Sequence, residues 1–149
     1  MPDEEHYRKL EWMYIHEAPI NKYYKPEIKI AEGYAEVKIK SDTKYFHAAN
    51  AVHGSVYFKM LDDAAFFAVN SLVDDVFVLT TSFNIYLLRP VVYGEIRAEG
   101  RVVSNSRKSF VAEAVLFNEK GKEIARGSGS FVKSNIPLDE HVGYLKERP

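Results

Sequence analysis

The chain has no cysteine, which excludes disulfides, thiolate metal sites and a thiol nucleophile. It also lacks an excess of charge of either sign. Twenty Lys and Arg stand against 21 Asp and Glu, a formal net charge of −1, so there is no electrostatic footprint for nucleic acid. No apolar run approaches the ~20 residues needed to cross a bilayer. The charged opening MPDEEHYRKL has no apolar stretch of the kind a secretory signal requires. A cytoplasmic protein with neither nucleic acid nor membrane as partner is the expectation. The phosphate-loop patterns GxGxxG and GxxxxGKS/T, the nucleophile elbow GxSxG and the zinc pattern HExxH are missing too. Gly127-Ser128-Gly129-Ser130 matches none of them and reads as small residues that let a strand approach a buried helix.

What is present fits one α+β domain over residues 1–149. Residues 1–27 read as an N-terminal helical extension, 28–134 as the core, and 135–149 as a polar tail with little to bury. From Asp3 to about Glu17, Leu10, Met13 and Tyr14 share a helical face, and acidic residues occupy the first turn. Tyr7, Trp12, Tyr14, Tyr23 and Tyr24 read mainly as packing for that helix and its exit, with walling of a substrate pocket by some of them as the alternative that spacing does not decide. Ile28 to Lys40 alternates as a strand. His53 to Ser71 is apolar on almost every side, the pattern of an enclosed helix. Four strand-like runs follow: Val76 to Arg89, Glu95 to Val103, Ser109 to Asn118 and Glu123 to Lys133. Their short, turn-like connectors predict an antiparallel meander. A curved antiparallel sheet wrapped around one long central helix, with an extra helix at the N-terminus, satisfies all of this.

The chemistry concentrates in Phe46–Asn70. His53-Gly54-Ser55 opens the helix, where unpartnered N–H groups and the positive end of the macrodipole stabilise negative charge. Asp62 sits mid-helix with Phe58 and Phe66 as its i±4 neighbours, so it has the setting of a perturbed carboxylate. Asp63 points elsewhere, with Lys59 as its i−4 ion-pair partner. Together the helix start and Asp62 imply attack on a carbonyl with stabilisation of the oxyanion. His53 and Asp62 are nine positions apart, about 13.5 Å along one helix. One small carbonyl cannot reach both from the same chain. The arrangement therefore requires a homodimer with antiparallel central helices and two sites across the interface.

The order and spacing of these residues resemble the hotdog-fold acyl-CoA thioesterases, in particular the phenylacetate-pathway (PaaI-type) group. The matching elements are His53-Gly54-Ser55 for an HGG turn, Asp62 nine positions on from its His, Ala64-Ala65-Phe66 and Asn70 after it, and Thr80-Thr81-Ser82-Phe83-Asn84-Ile85 followed by Leu88-Arg89-Pro90. By that resemblance the Gly54 N–H polarises the thioester carbonyl. Asp62 of the partner chain activates water or attacks directly, and Thr80, with Thr81, helps orient the water. Where the group has Asn six positions before the motif's His, this chain has His47. Either His47 takes that polar role or a loop shift brings Asn50 into it. His53 is expected to hold the turn.

Ser55, Thr81 and Phe66 are candidates for contacting substrate. Arg89, Arg107 and Lys108, with Arg126 behind them, are candidates for the phosphates of coenzyme A. Arg107 and Lys108 read equally as a solvated hairpin tip. No metal or cofactor is expected, since coenzyme A is part of the substrate. The partners expected are an acyl-CoA and a second copy of the chain, with pairing of dimers into tetramers. A non-catalytic acyl-CoA-binding protein and an enoyl-CoA hydratase-type enzyme are the alternatives.

Overall fold

The computed structural model describes residues 2–145. An N-terminal helix α1 (Glu4–Trp12) is capped by Asp3, whose side chain accepts from the His6 N–H, and it carries Glu4 and Glu5 in its first turn. It runs into one turn of π-helix, Met13–Glu17, and after Pro19 a short helix α2 (Ile20–Tyr24) ends at Lys25 in the left-handed conformation. Leu10, Met13 and Tyr14 are all buried, on the face their spacing predicts.

The run from Ile28 to Lys40 is two strands rather than one: β1 (Glu27–Ala31) and β2 (Tyr34–Lys40) form a hairpin. Glu32-Gly33 makes the turn, and Gly33 adopts φ +65°, a conformation glycine takes without steric cost. Ile28, Ile30, Ala35, Val37 and Ile39 all face the core.

The central helix α3 (Gly54–Asn70) is one uninterrupted run of 17 residues. Val56, Tyr57, Met60, Leu61, Ala64, Ala65, Ala68 and Val69 are buried along it. The alanines let the sheet come close. Gly100 lies against the backbone of Ala64 and Ala65, so near that a Cβ there would overlap the Ala64 carbonyl. This is where a strand meets the helix backbone. Gly127 and Gly129 serve a different purpose from the expected one: a Cβ at either would strike the Phe83 ring and the backbone of the neighbouring strand.

Four further strands follow: β3 (Val76–Leu87), β4 (Glu95–Asn105), β5 (Ser109–Phe117) and β6 (Glu123–Pro137). The six-stranded antiparallel sheet has the order β1-β2-β4-β5-β6-β3. The expected simple meander is therefore corrected. β4, β5 and β6 are successive neighbours, but β3 pairs with β6 at the far edge. The connector Leu88–Gly94 crosses the sheet instead of turning a hairpin. It is tied down on the way, with the Val52 N–H donating to the Val91 carbonyl and the Tyr57 hydroxyl to that of Arg89. The tail is also better anchored than its polarity implies. Gly143 packs on Glu17, the Tyr144 hydroxyl meets His6 Nδ1 at 2.7 Å, and His6 Nε2 lies 2.8 Å from the Asn70 carbonyl. Residues 146–149 of the expected tail lie outside the described residues. Among the described residues no helix is long and apolar enough to cross a membrane.

Candidate active site

Asn70 sets the geometry of the site from the far end of α3. Its buried side chain donates to the carbonyls of Val73 and Val76 and accepts the Val78 N–H at 3.0 Å. Three hydrogen bonds from one amide fix where β3 begins relative to the helix. Two residues further on, on the same face, Thr80 comes opposite Asp62, and its hydroxyl donates to Asp62 Oδ1 at 2.9 Å.

Asp62 and Thr80 line a cleft of about 470 Å³. One wall is α3, with Lys59, Asp63, Phe66 and Phe67. Phe77 and Leu79 of β3 form the second, and Met13 to Asn21 the third. The lining is overwhelmingly apolar, and this governs the carboxylate. Burial in the cleft pushes the Asp62 acid up to about 6; the Thr80 hydroxyl pulls the other way, neighbouring Asp63 adds to the rise, and Lys59 opposes it. A carboxylate poised there is an effective base near neutral pH. Thr80 holds Oδ1, and no hydrogen bond among the described residues occupies Oδ2.

Asp63 is paired as expected but is less exposed than a surface ion pair. Lys59 contacts it at 2.5 Å and the Tyr14 hydroxyl donates to it at 2.6 Å. Burial first, then the Asp63 charge, holds the Tyr14 phenol well above its usual range, so it remains a donor. The sequence marks this tyrosine of the N-terminal segment mainly as a packing residue; its hydroxyl reaches Asp63 through a contact across 49 positions of chain.

The other candidate residues form a second group at the start of α3. His53 caps the helix, its Nδ1 accepting the Ser55 N–H at 3.0 Å and meeting the Ser55 hydroxyl at 2.9 Å. Accepting with Nδ1 requires the neutral ring protonated on Nε2. The cap holds the turn, as anticipated. The Ser55 N–H is thereby occupied and the Val56 N–H donates to the His53 carbonyl, whereas the Gly54 N–H has no partner among the described residues. His47 and Asn50 lie on the exposed loop before the helix. His47 Nδ1 accepts the Ala49 N–H, its ring stands 6.4 Å from that of His53, and Asn50 takes the left-handed conformation at φ 65°.

Several expected partners stay apart. Thr81 is exposed and donates to the Ser130 carbonyl at 3.0 Å, away from Asp62. Arg107 and Lys108 sit exposed at the β4–β5 tip, and Arg89 lies in the crossing connector. Arg126 is paired with Glu123. Of the predicted residues, only Asp62, Thr80 and Phe66 share the cleft. Gly54 and Asp62 remain separated along one straight helix.

A six-stranded antiparallel sheet around one helix, with a perturbed carboxylate on that helix and an open N–H at its start, defines a hotdog-fold hydrolase. The family model described as "Thioesterase superfamily" matches residues 49–125, just over half of the chain; the chain belongs to that superfamily. A presumed esterase of Saccharolobus solfataricus is 26% identical over 104 residues, 70% of this chain and 69% of that protein. Among solved structures, the E. coli PaaI protein from the phenylacetic acid degradation operon superposes with a TM-score of 0.82. It is 19% identical and covers 92% of this chain and 99% of its own. A thioesterase of Haemophilus influenzae gives a TM-score of 0.72 at 19% identity, over 82% of this chain and 86% of its own. At such identities these structures establish the fold.

Proposed function

We propose that this protein hydrolyses an acyl-CoA thioester to the free acid and coenzyme A. The carrying observation is Asp62 in an apolar cleft, bonded by Thr80 and with its acid raised to about 6. In this reading Asp62 either takes a proton from the attacking water or attacks the carbonyl itself. Thr80 keeps the carboxylate oriented and leaves one oxygen for the reacting partner. A thioester lacks the resonance stabilisation of an amide, so a base and an oxyanion donor suffice and neither metal nor cofactor is needed.

The oxyanion donor is the Gly54 N–H of a second chain. Gly54 and Asp62 of one α3 stand on the same straight helix, too far apart for one carbonyl. A homodimer with antiparallel central helices brings each Gly54 to the partner's Asp62. Two features favour such pairing. β3 occupies a sheet edge with one side unpaired among the described residues. Phe58 and Leu79, flanking Asp62 on the helix and the strand, are 40% and 43% exposed, an apolar surface that a partner would cover. Arg107 and Lys108 are the proposed contacts for the nucleotide phosphates.

The test is thiol release from short-, medium- and long-chain and aryl acyl-CoAs by wild type and Asp62→Ala, with oligomeric state measured alongside. Turnover that disappears in the variant supports the reading. Intact acyl-CoA binding without turnover on any ester would replace it with a binding protein, and hydration of an enoyl-CoA would replace it with a hydratase.

A further inference from the structure

The superfamily match begins at residue 49, yet six of the fifteen residues lining the Asp62 cleft precede it: Met13, Tyr14, Glu17, Ala18, Ile20 and Asn21. We propose that this N-terminal wall is the acyl-specificity determinant of the enzyme, and that it limits how long an apolar acyl chain the cleft accepts. The inference rests on the thioester-hydrolase reading above.

Three observations carry it. First, the cleft is the right size for part of a substrate. At about 470 Å³ it lies toward the lower end of the ~300–1,000 Å³ typical of small-molecule sites. It holds an acyl group and leaves coenzyme A outside. Its apolar lining, with Phe66 and Phe77 rings 5.1 Å apart, suits a hydrocarbon.

Second, the wall is fixed in place by specific contacts to α3 and to the C-terminal segment. The Tyr14 hydroxyl bonds Asp63, one position from Asp62. Asn21 Nδ2 donates to the Tyr14 carbonyl at 2.8 Å, bracing the loop that carries Ala18. Gly143 sits so close to Glu17 that a Cβ there would overlap its side chain, and Val142 beside it also lines the cleft. His6 anchors the same helix to the end of α3 and to Tyr144.

Third, the backbone of the wall departs from a regular helix at the cleft. Met13–Glu17 is a π-turn, a local widening that recurs at functional sites. Met13 and Tyr14 keep the face set by α1, and the widened turn displaces the residues that follow them, so that Glu17 and Ala18 join the lining of the cleft.

The experiment compares kcat/KM across straight-chain acyl-CoAs from acetyl to dodecanoyl for wild type, Ala18→Phe and Met13→Ala. Folding is checked by thermal melting. In parallel, calorimetry measures the affinity of octanoate and dodecanoate for each protein. Filling the cleft with Ala18→Phe should lower the long-chain to acetyl ratio by about 10-fold or more. Opening it with Met13→Ala should move the optimum toward longer chains, by up to about four-fold per added methylene. Ala18 is half-exposed and tolerates the change if Met13→Ala does not fold. Folded variants that keep the wild-type length profile within about two-fold overturn the proposal. If wild type hydrolyses no acyl-CoA, the hydrolase reading falls and the carboxylate affinities decide. A length preference that shifts between variants sustains the wall, and one that does not shift overturns it.

Discussion

Removing the charge of Asp62 tests the site more sharply than removing the side chain, because it predicts a pH signature as well as a loss. In the unfolded chain the carboxyl titrates near 3.8; in the cleft it titrates near 6. Below about pH 4 both states are protonated, and the group contributes nothing to the pH dependence of stability. Between the two values the folded state binds more protons, so stability falls as pH rises. Above pH 6 the full cost of burying the ionised carboxylate is present. A rise of about two units corresponds to ~3 kcal/mol at 1.36 kcal/mol per unit, and solvent reaching the cleft reduces this to about 1–2 kcal/mol. Asp62→Asn keeps the shape and still accepts from Thr80. At pH 8 it should melt about 2–8 °C higher than wild type, with the gain shrinking through pH 6 to 4. The amide's own burial adds only a pH-independent offset. The assay is a pair of melting curves across pH at one fixed protein concentration, since the melting point of the proposed dimer would depend on concentration. Activity should fall by at least ~10²–10³, comparable to the loss of an oxyanion donor. A difference in melting point that stays flat from pH 4 to 8 would refute the argument that Asp62 is held unfavourably ionised at neutral pH.

Three further outcomes are expected. Thr80→Val removes the hydroxyl that opposes the rise at Asp62, so the acid limb of the kcat profile should move to higher pH; an unmoved limb would separate Thr80 from Asp62 in function. Gly100→Ala places a Cβ within the Ala64 backbone and should cost about 1–3 kcal/mol or more, read as a lower denaturation midpoint. Replacing Arg107 and Lys108 with Glu should raise KM for acyl-CoAs and leave kcat nearly unchanged if the β4–β5 tip meets the phosphates; an equal fall in kcat would reject that role.

The central helix was the most legible element because its signal is local. Seventeen residues that are apolar on nearly every side must be enclosed, and the cap at His53 and the buried end at Asn70 mark its limits. The β1–β2 turn was equally local: Glu32-Gly33 between two alternating runs is a two-residue hairpin, and its signal was overlooked in favour of one longer strand. The order of strands is another matter. Nothing within Leu88–Gly94 distinguishes a connector that turns from one that crosses, because the choice depends on β6 offering the edge that β3 fills. The glycines show the same limit. A small residue announces a close approach, but only the assembled sheet tells that Gly129 makes room for Phe83 and Gly100 for the helix.

At the site, spacing carried the argument further than any single residue type. Asp62 among phenylalanines and an open helix start could be read directly, and their separation along one helix is what motivates the proposal of a second chain. The intact 17-residue α3 removes the alternative that a kink could bring the two together. The apolar surface left beside Asp62, at Phe58 and Leu79, and the edge position of β3 are what a chain would expose if its chemistry were completed by another copy. The Tyr14 contact could not be foreseen, since it depends on how α1 docks against α3 and on a π-turn that no pattern in residues 13–17 encodes. The part of the site drawn from the superfamily core was therefore readable residue by residue, and the part drawn from the extension only as a group of aromatic candidates. This is the division expected if the core supplies the chemistry and the extension supplies the selectivity.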